Sequence, residues 1–288
     1  MNKALKYEFK KMFHKTSYKI VLLIGVILAV MESGWAYKNI YKVNLMGLDN
    51  VIQDGDMNHD FFPTGILECW LGNETYSVYN QIFIKILPLL AVIPFAISFS
   101  DEWRTGYTAM VVTQCGRKKY VIAKAIAVFV SGGIGVSFPL IISILCAGLY
   151  VPNMPSNPRS MQVSLSDLSM WSELYFEKPI LYVIAYTFLI CFIFGGIYAL
   201  LTMVISFWSR NRFVSILFPF VLQMFLTYGV LAVAPYYIYI PEAFLNPSQP
   251  VGIGSKLSYG ILVGIQLVAM LVLSLVIYIK NRKVDVLR

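Results

Sequence analysis

Charged residues are scarce in this chain. Asp, Glu, Lys and Arg make up 13% of its 288 residues, about half the share in an average soluble domain, whereas hydrophobic residues make up 58%. Such a composition excludes a soluble globular protein. Histidine and cysteine are also rare, with two and four residues, and the cysteines form no C-x-x-C pair. We therefore expect neither a metal site nor a disulfide framework.

Several motifs that would indicate enzyme chemistry are absent. The phosphate-binding sequence G-x-x-x-x-G-K-[ST] does not occur, so we do not expect this chain to hold ATP through such a loop. The sequence also offers no Ser-His-Asp, paired-carboxylate or Cys-His arrangement in a plausible site. We expect a protein that is not an enzyme and that binds no cofactor of its own.

Long apolar runs are what the sequence has in abundance, and its mean hydropathy is +0.69. A helix needs about 20 apolar residues to cross about 30 Å of hydrocarbon, and six stretches meet that length. The predicted spans are 18–37, 79–100, 122–150, 179–208, 213–235 and 257–279, with outer loops at 38–78, 151–178 and 236–256. The predicted fold class is an all-α integral membrane protein with six transmembrane helices in one domain, residues 1–288.

The distribution of Lys and Arg predicts how these spans are oriented. Seventeen of the 23 basic residues fall on one side, and cytoplasmic loops retain such residues. Both termini are therefore predicted to be cytoplasmic, in a multi-pass protein of the plasma membrane. This orientation puts Cys69 outside and Cys115 inside. The net charge of +8 then reflects membrane topology, and we expect no nucleic-acid partner.

The segment ahead of the first span, residues 2–16, has the pattern of an amphipathic helix. Leu5, Phe9, Met12 and Phe13 recur at helical spacing, with lysines on the other faces. We interpret this segment as a helix that lies on the membrane surface and contacts lipid. The alternative is a basic start that only fixes the topology.

Two charges fall inside predicted spans, Glu32 in the first and Lys85 in the second. Burying one such charge alone costs about 2.5–3.5 kcal/mol on insertion scales. Counting along the helices puts both at a similar depth, so we predict an intramembrane ion pair between them. The alternative is that each side chain reaches water independently near the interface.

Glycines give two predicted spans smooth faces. The third span contains Gly132, Gly133 and Gly135, and the fourth contains Gly195 and Gly196. Small residues let helices approach closely in a membrane. We predict that these faces pack within one subunit, with a dimer seam as the alternative.

The stretch between the second and third spans, residues 101–116, is the most informative part of the sequence. Asp101 and Glu102 favour a helix start, and Gly116 favours its end. Apolar side chains recur at helical spacing between them, at Trp103, Tyr107, Met110 and Val111. The pattern predicts one short amphipathic helix, followed by a basic anchor that re-enters the membrane. The alternative is a linker whose aromatic face rests on lipid headgroups.

This stretch resembles the coupling region of type-2 ATP-binding-cassette permeases, the membrane subunits of many bacterial exporters. Two spacings carry the resemblance: Glu102, three residues, then Gly106, and Arg117, six residues, then Lys124. The six-span layout and the proline-rich segment after the fifth span also match. The resemblance covers nearly the whole chain.

The resemblance implies a coupling helix that docks a separate cytoplasmic ATPase, which would hold ATP and Mg. The coupling residues would be Glu102, Trp103, Gly106, Tyr107 and Met110, and the re-entry anchors would be Arg117 and Lys124. It further implies pairing with a second copy or a sister permease, and outward movement of a hydrophobic or amphipathic substrate such as a drug, peptide or lipid. The alternatives are a secondary carrier driven by an ion gradient and, less favoured, a membrane-embedded enzyme.

Overall fold

The structure is a computed structural model that describes residues 2–55, 64–73, 77–154, 171–207, 209, 211–233, 245, 264, 267–277 and 279–280. These residues are almost entirely helical, and they include no strand. The α-helices are α1 Asn2–His14, α2 Thr16–Ala36, α3 Lys42–Asp54, α4 Val78–Val92, α5 Ile97–Arg104, α6 Tyr107–Cys115, α7 Arg117–Ala147, α8 Ser172–Glu177, α9 Pro179–Ala185, α10 Phe192–Ile205, α11 Arg212–Val233 and α12 Leu267–Ile277.

Within the described residues, five helical stretches are long and apolar enough to cross a membrane. They are Thr16–Asn50, Val78–Glu102, Arg117–Ala147, Pro179–Ile205 and Arg212–Gly229. The chain is therefore an all-α, multi-pass membrane protein. Of the sixth predicted span, 257–279, the structure describes mainly the apolar helix α12, because residues 257–263 lie outside the described residues.

The first membrane helix is longer than the apolar run that predicts it. A π-helical turn, Tyr37–Tyr41, joins α2 directly to α3, so the helix continues into the predicted outer loop 38–78. Aromatic contacts stabilise this extension, because the rings of Tyr37 and Tyr41 lie 5.1 and 5.9 Å from that of Tyr150. The Tyr150 hydroxyl also donates a hydrogen bond to the Ser33 carbonyl at 2.9 Å.

A second part of that predicted loop folds back into the core. The 3₁₀ turn Ile66–Cys69 is followed by Trp70 and Leu71, and both of these side chains are fully buried. The Trp70 indole N–H donates to the Leu140 carbonyl at 2.9 Å. A buried indole needs such a partner, and here it joins the segment to the centre of the bundle.

Helix α7 is central, since it contacts α1, α2, α4 and α10. Helix α7 crosses α10 where the predicted glycine faces of the two helices meet. The contact between these faces is thus within one chain, as predicted. A Cβ atom built on Gly132 would lie 2.5 Å from the Gly195 carbonyl oxygen, and one on Gly195 would lie 2.6 Å from the Gly132 oxygen. The two backbones are thus in direct contact, which side chains larger than hydrogen would prevent.

The predicted amphipathic helix at the start of the chain is present as α1, but its apolar face is divided. Met12 is fully buried, and Phe9 packs against the same core cluster. Phe13 is half exposed and meets Tyr18 edge to face at 5.5 Å. Helix α1 contacts α7 and α2. Its Met12 and Phe9 side chains therefore pack on protein.

Candidate functional site

Charged residues from four separate helices meet at one end of the bundle, here called the basic end and defined by Lys11, Lys124 and Arg212 with the acids they contact. Two ion pairs join Lys11 and Lys124 to Glu102, and Arg212 lies 3.7 Å from Asp101. The sequence assigns these basic residues to one side of the membrane. The structure brings them together at one end.

The centre of the basic end is a buried ion-pair network. The Lys124 ammonium lies 2.6 Å from Oε1 of Glu102 and 2.9 Å from Oε2 of Glu8. The Lys11 ammonium lies 2.7 Å from the same Oε1 of Glu102, and the Tyr120 hydroxyl donates to Oε2 at 2.5 Å. Lys124 is completely buried, and Glu8 and Glu102 are nearly so.

Helical spacing explains why these side chains converge. Tyr120 and Lys124 are four residues apart on α7, so they lie on one face, one turn apart. Glu8 and Lys11 are three residues apart on α1 and likewise share a face. Glu102, near the end of α5, accepts hydrogen bonds from both faces. One carboxylate therefore connects the second span, the third span and the N-terminal helix.

The charges within this network balance, with two lysines facing two carboxylates. Balance is required because an unpaired charge buried away from water is strongly unfavourable. The Phe95 ring adds a further favourable contact, since its centre lies 4.3 Å from the Lys124 ammonium.

Two neighbouring groups have perturbed pKa values. Burial lowers the pKa of Lys15, and the Coulombic attraction of Asp101 opposes that effect. The hydroxyls of Tyr7 and Tyr107 share a hydrogen bond of 2.9 Å, which raises the pKa of Tyr107. The Lys11 ammonium also lies 4.5 Å from the centre of the Tyr107 ring. Tyr107 therefore stays neutral and holds the start of α6 against α1.

The predicted single helix over 101–116 is wrong, because the structure divides it at Gly106. Helix α5 ends at Arg104, and α6 begins at Tyr107. Gly106 has φ +70°, the left-handed conformation that ends a helix and that glycine adopts without steric penalty. The predicted end at Gly116 is confirmed, since α6 ends at Cys115 and Gly116 has φ +80°. The segment consists of two short helices, α5 and α6, separated at Gly106, and we call this pair of helices the hairpin.

The residues implied for coupling fall into two groups. Glu102 faces inward within the network, and Tyr107 is partly buried against Tyr7. Met110 is 63% exposed, and the space around a Cβ on Gly106 is open. The side chain of Trp103 lies outside the described part of the structure. The hairpin therefore has a fixed inner side and an open outer side.

The two implied re-entry anchors also differ. Arg117 is the first residue of α7 and is partly exposed, whereas Lys124 is fully buried two turns further on. The two motif spacings meet in the structure, because Lys124 ends one of them and its ion-pair partner Glu102 begins the other.

The predicted pair of Glu32 and Lys85 is not brought together. Glu32 is fully buried and accepts a hydrogen bond from the Ser77 hydroxyl at the start of α4. Lys85 is exposed and lies eight residues further along α4, about 12 Å away along the helix axis. No ion pair joins them among the described residues. The depth estimate fails because the two apolar runs are not level at the basic end: Glu102, at the end of the second span, pairs with Lys11, which precedes the first run. Glu32 therefore lies beside the beginning of α4.

Sequence reasoning missed three members of the network: Glu8, Lys11 and Tyr120. Glu8 carries a signal that could have found it, because it is the only acidic residue before Glu32 in a strongly basic segment. Lys11 and Tyr120 carry no comparable signal, since lysines surround the first and tyrosines are common throughout the chain.

No family model matches this chain, and neither a curated protein nor a solved structure matches it.

Proposed function

We propose that this chain is the permease subunit of an ATP-driven exporter, with six spans and both termini cytoplasmic in the plasma membrane. The observation that supports this most is the ion pair between Glu102 and Lys124. These are two of the three charged residues through which the sequence resembles the coupling region, and they belong to separate motifs. Their contact gives both motifs one physical role, which is to attach the hairpin to the bundle.

Attachment of this kind suits a part that transmits force. Helix α6 is linked to α1 through Tyr107 and Tyr7, and α5 is linked to α1 and α7 through Glu102. A buried, charge-balanced network resists distortion, because displacing one partner strands the other in a medium of low dielectric constant. A push on the hairpin would therefore move the starts of the third span and the N-terminal helix together.

The outer side of the hairpin has features of a docking surface. Met110 is exposed, and methionine is enriched at protein interfaces relative to other surface residues. Gly106 presents backbone with no side chain above it. A separate ATPase that binds here would hold ATP and Mg, and a second copy or sister permease would complete the transporter. The cargo would be a hydrophobic or amphipathic molecule.

Co-purification tests this proposal. The tagged chain is isolated from its native membrane with a mild detergent, and bound proteins are identified by mass spectrometry. We expect an ATPase with a G-x-x-x-x-G-K-[ST] loop at near-stoichiometric yield, and ATP-dependent transport in vesicles. Transport in vesicles that carry an ion gradient and no ATP would instead support the secondary carrier.

Replacing Met110 by Glu should lower the recovery of the ATPase about tenfold, because a charge in place of an apolar anchor disrupts a desolvated contact. Met46 offers a matched control, since it is 64% exposed and Met110 is 63% exposed. Met46 lies on α3, about 45 Å along the helix from Thr16 at the basic end. Met46→Glu should leave recovery unchanged. Equal recovery with both variants, each monodisperse and correctly inserted, would contradict docking on α6.

Cysteine labelling tests the orientation. Cys69 is unsuitable as a reporter, because it is fully buried and burial raises the pKa of its thiol to about 12. Cysteines are introduced at Ile52, 75% exposed, and at Met110, after Ser replaces the partly exposed Cys115 and Cys146. In intact cells a membrane-impermeant thiol reagent should label Ile52→Cys, and it should label Met110→Cys only after permeabilisation. The opposite result would reverse the topology.

A further inference from the structure

A groove of about 530 Å³, here called the α7–α12 groove, lies between α7, α10 and α12. Its described lining residues are apolar except for Lys118 and Ser274. Three of the apolar ones, Ile122, Ile126 and Leu271, are between 38% and 62% exposed. The groove is therefore open to the surroundings of the bundle, which in a membrane are lipid.

One end of the α7–α12 groove is positively charged. Lys118 belongs to the first turn of α7 and precedes Tyr120 of the ion-pair network by two residues, so it lies at the basic end. Its side chain is exposed, and no ion pair or hydrogen bond joins it to another described residue. Unlike the buried Lys124, which two carboxylates neutralise, Lys118 is thus available to an anion.

The walls of the groove supply no counter-charge to this lysine. Helices α7, α10 and α12 contain neither Asp nor Glu, and α7 begins with three consecutive basic residues, Arg117, Lys118 and Lys119. Opposite charges attract most strongly where water is partly excluded, as beside a membrane helix. The charged end therefore favours an anionic group.

The length of the groove fits one leaflet of a bilayer. Its lining residues on α7 include Lys118, Ile122, Ile126 and Phe129, which are spaced by three or four residues and so share one face. Eleven residues separate Lys118 from Phe129, which corresponds to about 16 Å along the helix, or about half of a hydrocarbon layer of about 30 Å. The groove thus combines a cation at the membrane interface with an apolar trough as long as an acyl chain region.

We infer that the α7–α12 groove binds an anionic phospholipid from the leaflet at the basic end. The phosphate lies against the Lys118 ammonium, and an acyl chain follows Ile122, Ile126 and Leu271. The cytoplasmic leaflet carries anionic lipids, and basic pockets between membrane helices bind their headgroups. The proposed orientation identifies this leaflet as the cytoplasmic one, whereas the preference for an anionic headgroup depends neither on transport nor on an ATPase.

Native mass spectrometry of the full-length chain in detergent tests this inference. The protein is titrated with phosphatidylglycerol or with phosphatidylcholine of identical acyl chains, which has the same phosphate but no net charge. The apparent Kd is obtained from the fraction of protein that carries one lipid. We expect the Kd for phosphatidylglycerol to be about fivefold lower, since one lysine beside an anionic lipid contributes about that factor.

Variants of two adjacent lysines separate a defined site from general attraction to a basic surface. Lys118→Met keeps the apolar length of the side chain without its ammonium and should abolish the preference, whereas Lys118→Arg should retain it. Lys119→Met is the matched control, because Lys119 is also exposed but does not line the groove. One residue corresponds to a turn of about 100° around the helix. The Lys119→Met variant should therefore keep the preference.

A second pair of variants tests the apolar part of the groove. Leu271→Trp places a larger ring where the acyl chain would lie, so this variant should bind the two lipids equally weakly. Leu23 on α2 provides the control, since it is 60% exposed against 62% for Leu271 and does not line the groove. Leu23→Trp should bind both lipids like the native chain.

Equal Kd values for the two lipids on the native chain would overturn the inference and indicate ordinary lipid contact. Equal loss of preference in Lys118→Met and Lys119→Met would also overturn it, in favour of diffuse surface charge. So would a lipid-free dimer that Leu271→Trp dissociates, because a second copy would then occupy the groove. The measurement uses neither ATP nor another protein, so failure of the proposed function would leave its result unaffected.

Discussion

Replacing Lys124 by Met should lower the free energy of unfolding by about 3–5 kcal/mol, the range for breaking a buried ion pair by removing one partner. Lys124 is fully buried and lies within 3 Å of both Glu8 and Glu102. Without it, Glu102 keeps Lys11 and Tyr120, whereas Glu8 loses the ion pair that the structure gives it. The network then holds two carboxylates against one half-buried lysine.

Chemical unfolding of the purified protein in detergent measures this effect. A second variant that also changes Glu8 to Gln should recover part of the loss, because it removes the stranded charge. The pair of Arg212 and Asp101 supplies the control. Both side chains are more than a third exposed, and their charged atoms lie 3.7 Å apart. Arg212→Ala should change stability by at most about 1 kcal/mol. A Lys124→Met variant no less stable than Arg212→Ala would show that the network does not stabilise the bundle.

Replacing Gly132 by Ala should destabilise the protein by about 2–3 kcal/mol, at the upper part of the range for overpacking a core. The added methyl would lie 2.5 Å from the Gly195 carbonyl oxygen and 2.6 Å from the Ala199 Cβ. Neither neighbour is the end of a flexible side chain, so relief requires α7 and α10 to separate. That separation would weaken one of the main helix contacts around α7.

Gly34 is the matched control for this substitution. It lies within helix α2, and a Cβ there meets nothing within 4 Å. Gly34→Ala should therefore be neutral or stabilise the protein by about 0.5–1 kcal/mol, because alanine favours the helix. Thermal unfolding in detergent compares the two. Equal midpoints would mean that the α7 and α10 backbones are not in contact in the membrane.

Sequence reasoning anticipates features that depend on local chemistry. The apolar runs predict the membrane helices, because a bilayer demands a minimum apolar length whatever the neighbours are. The glycines at 132 and 195 predict a close crossing for a similar reason, since only residues without large side chains permit it. Glu102 and Lys124 were singled out by spacing within short segments.

The tertiary structure alone decides which of these residues meet. Lys124 pairs with Glu8, 116 residues away, because α1 folds back along α7. Glu32 meets Ser77 and not Lys85, because the second span extends beyond the first apolar run at the basic end, where Glu102 pairs with Lys11. Gln223 meets Ile84 because a proline on another helix frees that carbonyl. Hydropathy and periodicity describe one helix at a time, whereas each of these contacts depends on how two helices are placed against each other.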